Sequence, residues 1–428
     1  MIELKPVPQA EACGMDTALL CPRPQPGVGL HTFINPMPFR DTIITLASHG
    51  LRLILAPFAR PPKNLSDIAS VLVIKPCCIG DLILATPAIG QLRKSLPHAK
   101  IAVATGAWSK DVLMDNPDID EIIDLGQVGV GSKVRLKEYL SLASNLKDKH
   151  FQLCLVFDRS PLVSLLPLLA GIPVRAGLDS KGRGFSLNVR VPATEGKHEA
   201  ELYLDIVRSL GIAVNQPQLR FCLPDSSLKW AREQLRPELG PLVVLQAGGG
   251  VNPGASMFEK RWPLERYSEL AGLFIKRGYR IVAIGDQSDR EAAGRLKRLH
   301  DNGTKKVIDL AGQTTLGQLG AALSMSSLYV GNDSGPTHLA AAVGIPVVAI
   351  FGPSRPESYA PYTKDTRIIY KGQHCMNCEF SGGLLRRCRN NLRCMSDIRV
   401  EDVWRAAQDL LGQEPHFVIT AEEEDNNT

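Results

Sequence analysis

Apolar positions in this chain alternate between two spacings, short continuous runs and longer amphipathic stretches. Val71–Ile74, Ile101–Ala104, Ile122–Leu125 and Leu153–Phe157 have the length and bulk of buried strands. Between and after them, Leu82–Leu96, Val112–Asn116, Val134–Leu146, Leu162–Ala170 and Glu199–Leu210 carry helical spacing, with Pro87 bending the first. The second half repeats the scheme. Strands are expected at Leu242–Gln246, Arg280–Ile284, Val307–Leu310, Leu328–Val330 and Val347–Phe351. Helices follow at Leu264–Lys276, up to Leu299, at Leu316–Ser324 and at Val400–Leu411. Strands separated by helices of this length predict mostly parallel sheets covered on both faces.

Turn formers without periodicity between Leu210 and Pro224 divide the pattern into two units, 69–215 and 225–412. A length of 428 residues with 44% hydrophobic content is enough for two cores. Residues 1–68 read as an irregular accessory arm, because prolines from Pro6 to Pro62 interrupt every element. The apolar stretch Thr42–Ala56 within it would pack on the body, or meet a membrane surface or a partner. Residues 413–428 form an acidic, flexible tail. No apolar run is long enough to span a bilayer and no signal peptide opens the chain, so a cytoplasmic protein is expected. A net charge of +5 gives no reason to expect nucleic acid, although an anionic substrate fits.

Candidate chemistry collects in the turns after strands. Gly331-Asn332-Asp333-Ser334-Gly335 ends one strand and opens a helix with Pro336, Thr337 and His338. Such a turn converges backbone N–H groups on an anion, and the helix dipole adds to their field. Four polar side chains there exceed what a packing crossover needs. A second loop, Ala247 to Gly254, includes Gly248 and Gly249, and Lys260 and Arg261 follow it; glycines permit close phosphate approach and the cations would neutralise it. Asp289 and Glu291, in the polar opening Asp286–Glu291, would hold ribose hydroxyls or cap a helix. In the first unit Lys75 ends the first strand and Asp81 follows Gly80. Asp81 reads equally as a helix-start acid or as a general base, and Lys75 as a surface cation or a contact for an acidic substrate. The absence of G-x-G-x-x-G after the first strand argues against a dinucleotide cofactor.

Three stretches then carry a resemblance: VLVIKPCCIGDLILATPAIGQLRKSLPHAKI, KRWPLERYSEL and GNDSGPTHLAAAVGIPVVAIFGP. Together they resemble glycosyltransferase family 9, the heptosyltransferases of the lipopolysaccharide inner core, over Val71 to about Leu410. The resemblance implies a GT-B fold, two Rossmann-like domains with the acceptor on the first and the nucleotide-sugar on the second. Residue by residue, it makes Asp81 the catalytic base and Lys260 the donor-phosphate contact. It places Asp333, Ser334, Gly335, Pro336, Thr337 and His338 around the diphosphate and sugar of an ADP-sugar. Pro76-Cys77-Cys78 stands where the family usually carries small hydroxyl residues, so Cys77 and Cys78, with Lys75, are expected on the acceptor side. One base and direct displacement mean inversion, and no carboxylate pair calls for a catalytic metal cofactor. A lipopolysaccharide-core acceptor implies peripheral contact with the inner membrane; the alternative acceptor is a protein hydroxyl.

The remaining motif is Cys375-x2-Cys378-x9-Cys388-x5-Cys394, interleaved with Arg386, Arg387, Arg389 and Arg393. Four thiols at this spacing suit a structural tetrahedral site for zinc or iron, or a reduced cysteine cluster. The long arm and this loop favour the protein-hydroxyl acceptor, since family members that glycosylate autotransporters hold iron on such cysteines. The arginines would otherwise meet a phosphorylated acceptor. A nucleic-acid module is disfavoured because no aromatics interleave with them. A sugar-nucleotide epimerase would share the donor loops without needing an acceptor.

Overall fold

The computed structural model describes residues 50, 67–129, 134–252, 255–301, 303, 306–371, 378–381, 384–388 and 390–412. Thr42–Ala56 (apart from Gly50), the rest of the accessory arm up to residue 66, and the tail lie outside these residues.

Among the described residues the first lobe contains six strands and four α-helices in the order β1 (Ser70–Ile74), α1 (Ile79–Ser95), β2 (Lys100–Thr105), β3 (Glu121–Asp124), α2 (Leu136–Lys147), β4 (Leu153–Val156), α3 (Pro161–Leu169), β5 (Val174–Asp179), β6 (Val189–Pro192) and α4 (Glu199–Ser209). All pairings are parallel and the sheet order is β3-β2-β1-β4-β5-β6. β5 and β6 were not apparent in the apolar pattern, because β5 is interrupted by Arg175 and Gly177 and β6 is a short edge strand. Pro87 does not break α1. Its missing N–H frees the Ile83 carbonyl, which instead accepts the Thr86 hydroxyl at 2.6 Å.

After a connector, α5 (Asp225–Leu235) leads into the second lobe: β7 (Leu242–Gln246), α6 (Leu264–Lys276), β8 (Arg280–Ala283), α7 (Arg290–His300), β9 (Val307–Asp309), α8 (Leu316–Ser324), β10 (Leu328–Asn332), α9 (Gly335–Ala342), β11 (Val347–Phe351) and β12 (Thr366–Tyr370). Its sheet is also parallel, ordered β9-β8-β7-β10-β11-β12. A hairpin of β13 (Cys378–Ser381) and β14 (Leu384–Cys388) precedes the last helix, α10 (Val400–Leu411), which packs on α6 and β12.

In both sheets the order reverses beside the first strand, between β1 and β4 and between β7 and β10. Open α/β sheets bind ligands in the crevice at the C-terminal ends of the two strands flanking such a reversal. The loops picked out by composition therefore fall at the two switch points. The lobes meet where α1 packs against α9, and one apolar cluster runs from Leu82 and Ile83 through to Tyr329 and Leu339.

Candidate active site between the lobes

In the second lobe, buried polar side chains shape the turn after β10. Gln246, at the end of β7, accepts hydrogen bonds from Tyr329 Oη at 2.5 Å and Ser334 Oγ at 2.6 Å. Asn332 Oδ1 accepts the Trp262 N–H at 3.0 Å and the Tyr267 hydroxyl at 3.1 Å, and its Nδ2 donates to Gly248 O at 2.9 Å. Thr337 Oγ1 donates to the Asn332 carbonyl at 2.5 Å. The Ser334 and Thr337 hydroxyls thus hold the turn itself, and the helix start at Gly335 and Pro336 is left to offer its N-terminal field. Gln246 and Asn332 stood at the polar ends of apolar strands, a signal that sequence reasoning passed over.

Lys260 Nζ lies 2.6 Å from Asp333 Oδ2, both side chains largely buried. Burial works to raise the Asp333 pKa, but the Lys260 ammonium outweighs it and holds the carboxyl below its ordinary range. His338 is buried, and burial lowers its pKa; its Nδ1 has no hydrogen-bond partner among the described residues.

Of its two expected roles, Asp289 takes the helix-capping one rather than the ribose. It is 2% exposed, accepts the Gly249 and Asp286 N–H groups at 3.1 and 3.2 Å, and pairs with Arg261 at 2.8 Å. With its oxygens engaged beneath the glycine loop, it is not available to a ribose. A Cβ at Gly248 would stand 2.0 Å from the Asp289 carboxyl, so glycine there is what lets the acid lie under the loop. Glu291 is exposed in the first turn of α7.

In the first lobe Lys75 turns inward rather than standing as a surface cation. It is 6% exposed and pairs with Asp81 at 3.0 Å. Burial opposes its charge, yet Asp81, Asp158 and Glu199 together raise its pKa. Glu199, 2% exposed at the start of α4, is gripped by Arg159 through both carboxylate oxygens at 2.6 and 3.2 Å. Asp158, Arg159 and Glu199 were not singled out from sequence, because they come from two distant segments that only the fold joins. Cys77 and Cys78 are joined to each other by a disulfide at the turn before α1.

The two half-sites touch. A Cβ at Gly80 would stand 2.5 Å from His338 Cδ2, and one at Gly335 would stand 3.1 Å from Ile79 Cγ2. Asp81 and Asp333 both act electrostatically on His338. Further along the seam, His198 Nδ1 accepts the Ala200 N–H and caps α4, so its Nε2–H donates to Ala360 O of the second lobe at 2.8 Å.

Of the four cysteines, Cys375 lies outside the described residues. Cys378 and Cys388 are directly paired across the hairpin, Cys388 Sγ accepts the Leu392 N–H at 3.2 Å, and Cys394 is buried beside Gly352. Among the described residues no group of three or more candidate metal donors is assembled.

Two parallel Rossmann-like lobes, each with its switch point on a common seam, define a GT-B glycosyltransferase. The family model of glycosyltransferase family 9 (heptosyltransferase) matches residues 139–383. Lipopolysaccharide heptosyltransferase 2 of Escherichia coli K12 is 31% identical over 311 residues, covering 70% of this chain and 87% of that one. Among solved structures, E. coli ADP-heptose lipopolysaccharide heptosyltransferase II has a TM-score of 0.64 at 27% identity, over 80% of this chain and 99% of that one. A family 9 glycosyltransferase from Veillonella parvula reaches a TM-score of 0.70 at 25% identity, over 83% and 100%. The chain belongs to glycosyltransferase family 9, the heptosyltransferases.

Proposed function

We propose that the protein is an inverting transferase that moves heptose from an ADP-heptose donor to a hydroxyl of a lipopolysaccharide inner core. The observation that carries this reading is the contact of Gly80 with His338, which sets the helix start bearing Asp81 against the turn bearing Asp333. In the reaction Asp81 takes the acceptor hydroxyl proton as that oxygen attacks the anomeric carbon. The bond to the diphosphate breaks with its electrons staying on the diphosphate. The start of α9 at Gly335 and the Lys260 ammonium stabilise that charge without a metal. Lys75 keeps Asp81 oriented, and Asp289 with Arg261 keeps the Gly248–Gly249 loop in place. Supporting the donor and acceptor classes, relatives that the chain matches over most of its length are lipopolysaccharide heptosyltransferases by name. Those names do not favour a protein hydroxyl as the acceptor.

The four cysteines are proposed as a structural zinc or iron site. The pairing of Cys378 with Cys388 and the N–H donated to the Cys388 sulfur support this. A four-thiolate site has no open position, so no step runs through it. Metal content of the purified protein, compared with a Cys388→Ser variant, tests it.

The test of function is calorimetry with ADP, UDP and GDP, followed by transfer from ADP-heptose to a delipidated inner-core oligosaccharide. Selective ADP binding and an anomerically inverted product are expected. A folded sample that binds no nucleotide, or one that consumes donor equally without acceptor, would overturn the reading.

A further inference from the structure

Trp262 is fully buried and stands two residues after Lys260, held from two sides by distant parts of the second lobe. Its main-chain N–H donates to Asn332 Oδ1 at 3.0 Å, in the turn that also carries Asp333. Its indole N–H donates the other way, to the Ile398 carbonyl at 3.0 Å, and the ring packs edge-on against Tyr267. Arg266, on α6, gives that carbonyl a second donor. A buried indole N–H needs a partner, so the place of the ring depends on where residue 398 lies.

Ile398 is set in turn by the cysteine segment, and from it back to Cys388 the hydrogen bonds run without a break. The Ile398 N–H donates to Met395 O at 3.3 Å, and the Met395 N–H to Leu392 O at 2.8 Å, across the short helical turn Arg393–Ser396. The Leu392 N–H ends the run on Cys388 Sγ at 3.2 Å. Asn391 and Leu392 hold φ values of 46° and 55°, a left-handed conformation that residues with side chains seldom keep unaided. The sulfur acceptor therefore helps to hold this turn. Packing adds a second link: Cys394, Met395 and Ile398 share an apolar cluster with Trp262. A Cβ at Gly352, just after β11, would stand 2.2 Å from Met395 Sδ, so the segment also lies directly on the end of that strand.

We propose that Trp262 is a positioning residue through which the cysteine segment, from Cys388 to Ile398, sets Lys260 in the donor site. Loss of the acceptor at Cys388 loosens the turn at Leu392, and the Ile398 carbonyl moves with it. The indole follows that carbonyl, and Lys260 loses its place against Asp333 and the diphosphate. A fixed Cys388 sulfur, as in the proposed cysteine site, would tighten the same run, so nucleotide affinity answers to the state of the cysteines. The inference rests on the proposed donor role of Lys260 and extends it to the regulation of that site. Two hydrogen-bonded runs meeting at one carbonyl form a contiguous path, and a coupling measurement decides whether energy passes along it.

The experiment joins ADP calorimetry to hydrogen exchange of the amides of residues 257–262, both on the full chain. Trp262→Phe removes the indole donor, keeps the main-chain one, and weakens ADP binding at least about fivefold. Cys388→Ala weakens it at least about threefold, and added to Trp262→Phe it produces no further loss. In Cys388→Ala the amides of 257–262 also exchange faster than in the wild type, whereas a sulfur that merely stabilised its own loop would leave them unchanged. The inference is overturned if the two single losses multiply in the double variant. It is equally overturned if Cys388→Ala leaves either the ADP affinity or the exchange of 257–262 as in the wild type. Should Trp262→Phe fail to fold, the two Cys388→Ala measurements decide. A folded wild type that binds no ADP would sink the proposed function, and the exchange of 257–262 in Cys388→Ala would then decide the coupling by itself.

Discussion

Gly80 and His338 come from different lobes and pack so closely that position 80 has no room for a methyl group, the ring lying 2.5 Å from where a Cβ would stand. The helix starts that carry the proposed base and the proposed diphosphate site are therefore spaced by the absence of one side chain. Gly80→Ala is expected to push them apart. We predict that kcat/KM falls at least about tenfold, equivalent to about 1.4 kcal/mol, while ADP affinity, which the proposed reading assigns to the second lobe, stays within about twofold. Steady-state kinetics and calorimetry on one preparation would check this; equal losses in both would point to misfolding.

Asp81→Asn removes the proposed base and keeps its shape. The expected loss is about 10²–10⁴ in kcat with donor binding retained. Lys75→Met should lower kcat by a smaller factor, because Asp81 remains but loses its partner at 3.0 Å. A Lys75→Met enzyme as active as the wild type would remove the positioning role.

Lys260→Ala acts on binding and on stability. ADP binding should weaken, and the buried Asp333 carboxylate is left unpaired, a destabilisation of about 3 kcal/mol at neutral pH. Because Lys260 depresses the folded pKa of Asp333, its stabilisation is present above the unfolded carboxyl pKa of about 4. It is lost as pH falls through the depressed folded value. Denaturation curves of wild type and variant should therefore converge in acid; a constant gap down to the lowest pH would contradict the pairing.

His338 is buried and His198 half-buried, and desolvation lowers both pKa values. A histidine whose folded pKa is depressed stabilises the fold fully above the unfolded value of about 6.5, and less as pH falls from there through the folded value. Protonation of His198 also removes the acceptor that caps α4. Thermal stability of the wild type should fall as pH is lowered below about 6.5, and His198→Asn should flatten part of that slope. An unchanged slope would assign the effect to other groups.

Periodicity made the alternating strands and helices legible, and with them the parallel α/β class. The glycine turns were legible because turn chemistry is local: Gly, Pro, Asp and Ser act on their own backbone neighbours. Residues 1–66, apart from Gly50, and Cys375 are outside the described residues, so the reading of the arm and of the full cysteine set rests on composition and spacing. Some side chains had their type legible but not their direction. Asp289 was visible as an acid after a strand, yet its 2% exposure arises from Gly248 and Arg261 closing over it.

The sequence by itself determined the local elements and the small-residue turns at which two half-sites would sit, since these depend on spacing and on backbone freedom over a few residues. Only the tertiary structure decided the strand order that put those turns at switch points, and the meeting of Gly80 with His338 across the seam. It also decided the inward turn of Lys75 toward Asp81, Asp158 and Glu199. Each of these depends on which distant segments share a neighbour once the apolar faces are buried, and that information is not carried by any one stretch of chain.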